Sequence, residues 1–340
     1  MDSERAERFI RDLYAGVLRR APGPQEFAHW VDIAMSGRAL DEILGLFVAS
    51  PEFSQKRRIE PKFHPGHYHS PITDPDVAFE RAHRNREDIG AGPIAGIELD
   101  AAPMWKFLES AQPNIASAIF TDQATPTSRY YYDNGAFPYG DALVLRAMIQ
   151  TLQPKRVVEI GSGFSTACML DAADEVGLSD THFTCIEPDP GRLLGLLRPT
   201  DADRVDLREE EVQDADLGLF EALDEDDILF IDSTHVLKTG SDVNWELFNI
   251  LPIVRPGVII HFHDIHYPFE YPDEWIRENY SWNEIYAVRA FLTGNDFYRV
   301  MFWNAMLAHL DRRRLQAISE LLVRNPGGSL WIRKLGRGGG

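Results

Sequence analysis

The sequence predicts an α/β fold, a doubly wound and mostly parallel sheet of seven strands, with a small all-helical domain joined to its N-terminal side. Three observations carry this. Beyond Gly140, short β-branched runs alternate with stretches of helical spacing, the rhythm of βαβ units. The first fifty or so residues instead space their apolar side chains as helices do. At 340 residues the chain also exceeds the usual single-domain size, leaving room for a catalytic domain and a smaller module.

In the N-terminal region, Phe9, Ile10, Leu13, Tyr14, Val17 and Leu18 share one helical face. The Pro22-Gly23-Pro24 break leads into a second helix carrying Phe27, Trp30 and Val31, and a third spans 40–48 and ends before Pro51. Residues 1–55 are therefore expected to form the helical domain, and 56–80, rich in His, Pro and basic residues, a linker. His64, His67 and His69 within it have no Cys or acidic partner at ligand spacing and are read as exposed linker residues. Residues 81–335 form the main domain, with a helical lead-in over 81–140 and the sheet core over 141–335. The aromatic turn of Tyr130, Tyr131, Tyr132, Phe137 and Tyr139 is expected to pack against the sheet. Strands are predicted at 156–160, 182–186, 204–207, 228–231 and 258–262, then helix 284–292, strand 297–302, helix 306–323 and strand 329–334. The glycine-rich tail 336–340 is expected to be disordered.

Composition narrows the function. Hydrophobic residues at 44% and charged residues at 26% are ordinary for a globular chain. Lys and Arg number 34 against 53 Asp and Glu, a formal charge of -19, which repels phosphate backbones and anionic lipid surfaces, so neither nucleic acid nor membrane insertion is expected. The acidic stretch from Asp201 to Asp227 reads as solvated surface. The start has no basic region followed by an apolar core, and Cys168 and Cys185 lie in apolar surroundings without the numbers for a disulfide framework. A cytoplasmic location is expected.

The strongest local pattern is Val157-Val158-Glu159-Ile160-Gly161-Ser162-Gly163-Phe164-Ser165-Thr166, a strand running through a glycine turn into a helix. Glycines at 161 and 163 let the backbone turn tightly and approach a ligand. A dinucleotide site usually has a third glycine where Thr166 stands, and Glu159 would repel a pyrophosphate, so an NAD-dependent oxidoreductase is disfavoured. The next strand ends at Glu187, an acid placed to accept hydrogen bonds from ribose hydroxyls.

The pair, E-x-G-x-G-x-S followed by a strand-terminal acid, resembles the Rossmann-like class I S-adenosylmethionine (SAM)-dependent methyltransferases. That resemblance implies SAM as cofactor, with Glu159, Gly161, Ser162, Gly163, Ser165, Glu187 and Asp232 around it. Residues 130–335, through Asp232-Ser233-Thr234-His235, His261-Phe262-His263-Asp264-Ile265-His266, Lys238–Asp242 and Trp282-Asn283-Glu284, are similar to a large bacterial family of such enzymes, often associated with sugar, polyketide or other hydroxyl acceptors. The N-terminal fifty residues resemble a helical domain found beside phycobilisome-linker-like and bacterial surface-associated modules, which implies a protein partner or self-association.

Methyl transfer to a hydroxyl needs alignment and removal of a proton. His263 and His266 are candidate bases and Asp264 the carboxylate that orients an imidazole. Asp232, His263 and Asp264 also occupy positions like those that hold a divalent ion in metal-dependent catechol-type O-methyltransferases; the histidine departs from their Asp, Asp, Asn set and suits manganese, iron or zinc better than magnesium. His261, inside an apolar strand, is read as a core residue and His235 as intermediate. A non-catalytic SAM-binding or docking protein is the competing reading.

Overall fold

The computed structural model describes residues 2–59, 62–89 and 92–336, and divides into two compact units, 1–73 and 74–340. The first holds four helices, Ser3–Val17, Pro24–Met35, Leu40–Val48 and Pro51–Ile59. Asp2 caps the first by accepting from Arg5 N, and Pro24 starts the second where its missing N–H costs nothing. Ile10, Tyr14, Val31, Ile43 and Phe47 fill a core of their own. Arg20 joins the unit's ends by donating to Glu26 and Glu52. The expected linker over 56–80 is partly helical: the third helix ends at Val48 as expected, but Pro51 opens a fourth, and another helix begins at Pro75, both using proline in the first turn.

The second unit carries the helices Pro75–Ile89, Ala101–Ser110, Gln112–Ala116 and Tyr139–Leu152 ahead of a seven-stranded sheet. The strands are β1 (Arg156–Ile160), β2 (His182–Ile186), β3 (Val205–Arg208), β4 (Ile228–Ile231), β5 (Ile259–Phe262), β6 (Tyr298–Trp303) and β7 (Leu330–Lys334), in the order β3-β2-β1-β4-β5-β7-β6. β1 to β5 are parallel, and β7 lies antiparallel to both β5 and β6. β4 and the last four residues of β1 are buried on both faces, between helices such as Phe164–Glu175. The chain leaves β1 in one direction toward β2 and β3 and returns on its other side with β4, so a crevice opens at the C-terminal ends of β1 and β4.

The single helix expected over 306–323 is three short ones, Asn304–Leu310, Arg312–Ile318 and Glu320–Arg324. Asp311 accepts from Arg314 N and Ser319 from Leu321 N, so each restarts the helix as an N-cap. Of the expected tail, residues 337–340 lie outside the described residues. No helix among the described residues is long and apolar enough to cross a membrane. Both cysteines are free and buried.

Candidate active site

At the end of β1 the chain must pass under the end of β4. Gly161 takes φ 80°, and a Cβ there would lie 1.8 Å from the Asp232 carbonyl oxygen, so only glycine fits. Gly161, Ser162, Gly163 and Ser165 form one wall of a crevice of about 610 Å³, with Glu187 and Asp232 beside them. Glu187 is held ready: Ser162 N donates to its Oε2 at 3.2 Å and Asp189 N to its Oε1 at 2.8 Å. A second hollow of about 430 Å³ runs on from Glu187 past Glu211, Val212 and Gln213 to Ser241, and shares Gly161, Glu187 and Asp232 with the first.

Glu159 is placed differently from its neighbours in the motif. It is 1% exposed and is not among the residues lining the crevice, accepting from Ser165 Oγ at 2.5 Å and from Thr166 Oγ1. Burial pushes its carboxyl up to about 7, against the pull of those hydroxyls. Its work is to tie the glycine turn to the first turn of helix Phe164–Glu175.

Across the crevice, β4 and β5 deliver Asp232, His235, His263, Asp264 and His266. Asp232 Oδ1 lies 3.2 Å from His263 Nδ1 and 3.5 Å from His235 Nε2; Asp264 Oδ2 lies 3.5 Å from each of the same nitrogens. His235 and Asp264 adopt φ of 60° and 57°, a region non-glycine residues enter at a cost, here imposed by the turns that bring them together. Burial alone would lower both imidazoles, yet the carboxylates outweigh it: Asp232 and Glu284 push His235 up to about 10, and Asp264 and Asp232 raise His263. Asp232 is held well below the usual carboxylate range, its burial overcome by His263 and His235, while burial pushes Asp264 up to about 6. The group as a whole stabilises positive charge. Asp232, His235 and His263 each present one ligand atom within 4.8 Å of the others, so this donor set fits a divalent cation.

His266 differs in kind. Its Nε2 is buried without a hydrogen-bond partner, 3.9 Å from Asp264 Oδ1, and burial pushes the ring down to about 4, leaving it neutral at neutral pH. His261 is fully buried inside β5, stacked on Phe230 with ring centroids 3.8 Å apart and its Nε2 3.0 Å from Ser329 Oγ.

Further residues reach the crevice or the cluster behind it, among them Trp282 and Glu284 of the segment already marked by its family resemblance. Asp141, on helix Tyr139–Leu152, lies 3.5 Å from His263 Nε2. Glu284 lies 2.7 Å from His235 Nδ1. Gly327 and Gly328 close over the cluster, where a Cβ would meet the Asp141 carboxylate at 2.2 Å and Asp264 Cα at 2.9 Å; the glycine pair before the last strand was the available signal. Trp275, Tyr280 and Trp282 form an aromatic wall, with Trp282 4.5 Å from the His235 ring and Trp275 5.1 Å from His266. From the aromatic turn, Phe137 lines the crevice beside His263, while Tyr130 and Tyr132 are core.

Among known proteins, the model of a family described as a methyltransferase domain matches residues 158–265. An uncharacterized protein of Archaeoglobus fulgidus is 34% identical over 178 residues, 51% of this chain and 78% of that protein. Among solved structures, the O-methyltransferase TomG from Streptomyces achromogenes in complex with SAM is 12% identical, with 78% of this chain and 100% of that one covered and a TM-score of 0.37. An O-methyltransferase from Bacillus cereus in complex with SAH is 16% identical, with 67% and 91% covered and a TM-score of 0.34.

Proposed function

This chain belongs to the methyltransferase-domain family and is a class I SAM-dependent methyltransferase, and from that premise we propose that it methylates a hydroxyl oxygen on a small metabolite, sugar or glycan. The observation that carries the proposal is a single crevice with the glycine turn and Glu187 on one wall and the His/Asp cluster on the other. SAM supplies a methyl carbon already activated by its sulfonium, so the protein's task is to align the acceptor and take its proton.

Glu187 accepts hydrogen bonds from the ribose hydroxyls, its orientation fixed by the backbone N–H groups of Ser162 and Asp189. Gly161, Ser162, Gly163 and Ser165 let the cofactor lie against the backbone, and the hollow past Val212 and Gln213 takes the adenine. Glu159 supports the turn from beneath. The nicotinamide reading of the turn gives way to the family assignment.

His266 is the general base. It is neutral at neutral pH, its Nε2 has no competing partner, and it stands on the acceptor wall. Asp264 Oδ1, 3.9 Å from the same nitrogen, is beyond hydrogen-bond reach and leaves it free. His263, raised by carboxylates and closed in at 4% exposure, is assigned to holding charge instead of moving a proton. Asp232, His263 and Asp264 would hold a divalent ion, which would supply a positive charge that makes the acceptor hydroxyl more acidic. The aromatic wall seats the acceptor, and the N-terminal helices contact a protein partner or a second copy.

The test is release of S-adenosylhomocysteine from SAM with a panel of hydroxylated acceptors. His266→Ala is expected to lower kcat by about 10²–10⁴-fold while SAM affinity holds. Unchanged turnover in that variant would remove His266 from the mechanism.

A further inference from the structure

Behind His235 a second carboxylate is hydrogen-bonded, and behind His263 another acid stands nearby without a hydrogen bond. Glu284 Oε2 lies 2.7 Å from His235 Nδ1, and Asp141 Oδ2 lies 3.5 Å from His263 Nε2. Both outer acids are buried, and Asp141 is further fixed by accepting from Ser329 N at 3.0 Å and Ser329 Oγ at 2.6 Å. An acid on the outer nitrogen draws the ring proton outward and leaves the inner nitrogen with a lone pair, the arrangement found behind metal-bound imidazoles. His235 Nε2 and His263 Nδ1 then face Asp232 Oδ1, three ligand atoms within 4.8 Å of one another.

The spacing fits one ion. The separations of 3.2 and 3.5 Å from Asp232 Oδ1 to the two imidazole nitrogens are close to the ligand-to-ligand edge of about 3.3 Å expected around an ion with bonds of about 2.0–2.1 Å. We propose that His235, oriented by Glu284, is a protein ligand alongside Asp232 and His263, and that this two-imidazole, one-carboxylate set selects zinc or iron(II) over magnesium. The inference rests on the divalent-ion reading of the cluster given above. Magnesium favours oxygen ligands and retained waters, whereas imidazole nitrogen suits the borderline transition ions. Glu284 reaches His235 from 49 residues away in the chain, a contact with no role in holding SAM.

The full-length chain, stripped with chelator, is titrated with Co²⁺ as a visible probe, then with Zn²⁺ and Mg²⁺, with neither SAM nor acceptor present. One equivalent of Co²⁺ is expected to give visible d–d bands that Zn²⁺ abolishes and millimolar Mg²⁺ does not. Glu284→Gln is expected to weaken Co²⁺ binding by about 10–100-fold. His235→Gln is expected to weaken it at least as much and to shift the bands, with circular dichroism reporting that the fold is kept. Mg²⁺ competing on equal terms, no Co²⁺ binding, or an unaltered spectrum in His235→Gln would each overturn the proposal; should His235→Gln not fold, Glu284→Gln and the wild-type ion competition decide. S-adenosylhomocysteine binding measured separately in chelator distinguishes failure of this site from failure of the methyltransferase assignment.

Discussion

The carboxyl of Glu159 sits out of water beneath the glycine turn, gripped by the hydroxyls of Ser165 and Thr166. Folded, it keeps its proton to about pH 7, against an ordinary value of 4.5 in the unfolded chain. Between those values the folded state binds more protons, so this group's stabilising contribution is full at low pH and is lost as pH rises through 7. Glu159→Gln carries no such titration. Urea midpoints at pH 5 and pH 8 are therefore expected to fall further in the wild type than in the variant; parallel changes would contradict the burial argument. The residue also marks the reach of sequence reasoning. The E-x-G-x-G spelling located the turn, but which way the glutamate pointed depended on two hydroxyls one helical turn later. Contacts between distant segments were less accessible still: nothing local in the sequence ties Asp141 to His263 or Glu284 to His235, and these pairs form only once β4 and β5 lie side by side.

Among the elements, the glycine turn makes a sharp contrast testable. A methyl group at Gly161 meets backbone of β4's end at 1.8 Å in a left-handed conformation, whereas at Gly163, with extended φ of 173°, it meets the flexible Cδ of Arg192 at 3.1 Å. Gly161→Ala is expected to destabilise by more than about 1 kcal/mol and abolish cofactor binding, and Gly163→Ala to fold normally, as read by thermal melts and calorimetry. Strands β1, β2 and β4 and helix Glu284–Leu292 were legible to the residue because their apolar runs have clear flanks. The region after β6 was not: its apolar spacing continues across Asp311 and Ser319, and only their side-chain caps, which compete with the helix, break it into three.

For the whole molecule, two separate apolar clusters matter. Residues 6–47 close one and residues 94–332 the other, with no buried member in common. Heating is expected to give two transitions, of which a ligand of the sheet unit raises only one, since binding stabilises the unit that holds the ligand. Differential scanning calorimetry with and without S-adenosylhomocysteine reads this directly, and a single transition shifted as a whole would show the units to be coupled. The formal charge of -19 is consistent with an uncharged small acceptor and unfavourable to a polyanion.

The most direct test of the account is isothermal titration of the full-length chain with S-adenosylhomocysteine, run beside Glu187→Ala. A dissociation constant in the micromolar range or tighter is expected, weakened about tenfold or more when the ribose-binding acid is removed, a loss of about 1.4 kcal/mol. No heat with the wild type, or equal affinity in the variant, would contradict the placement of the cofactor and the catalytic roles that follow from it.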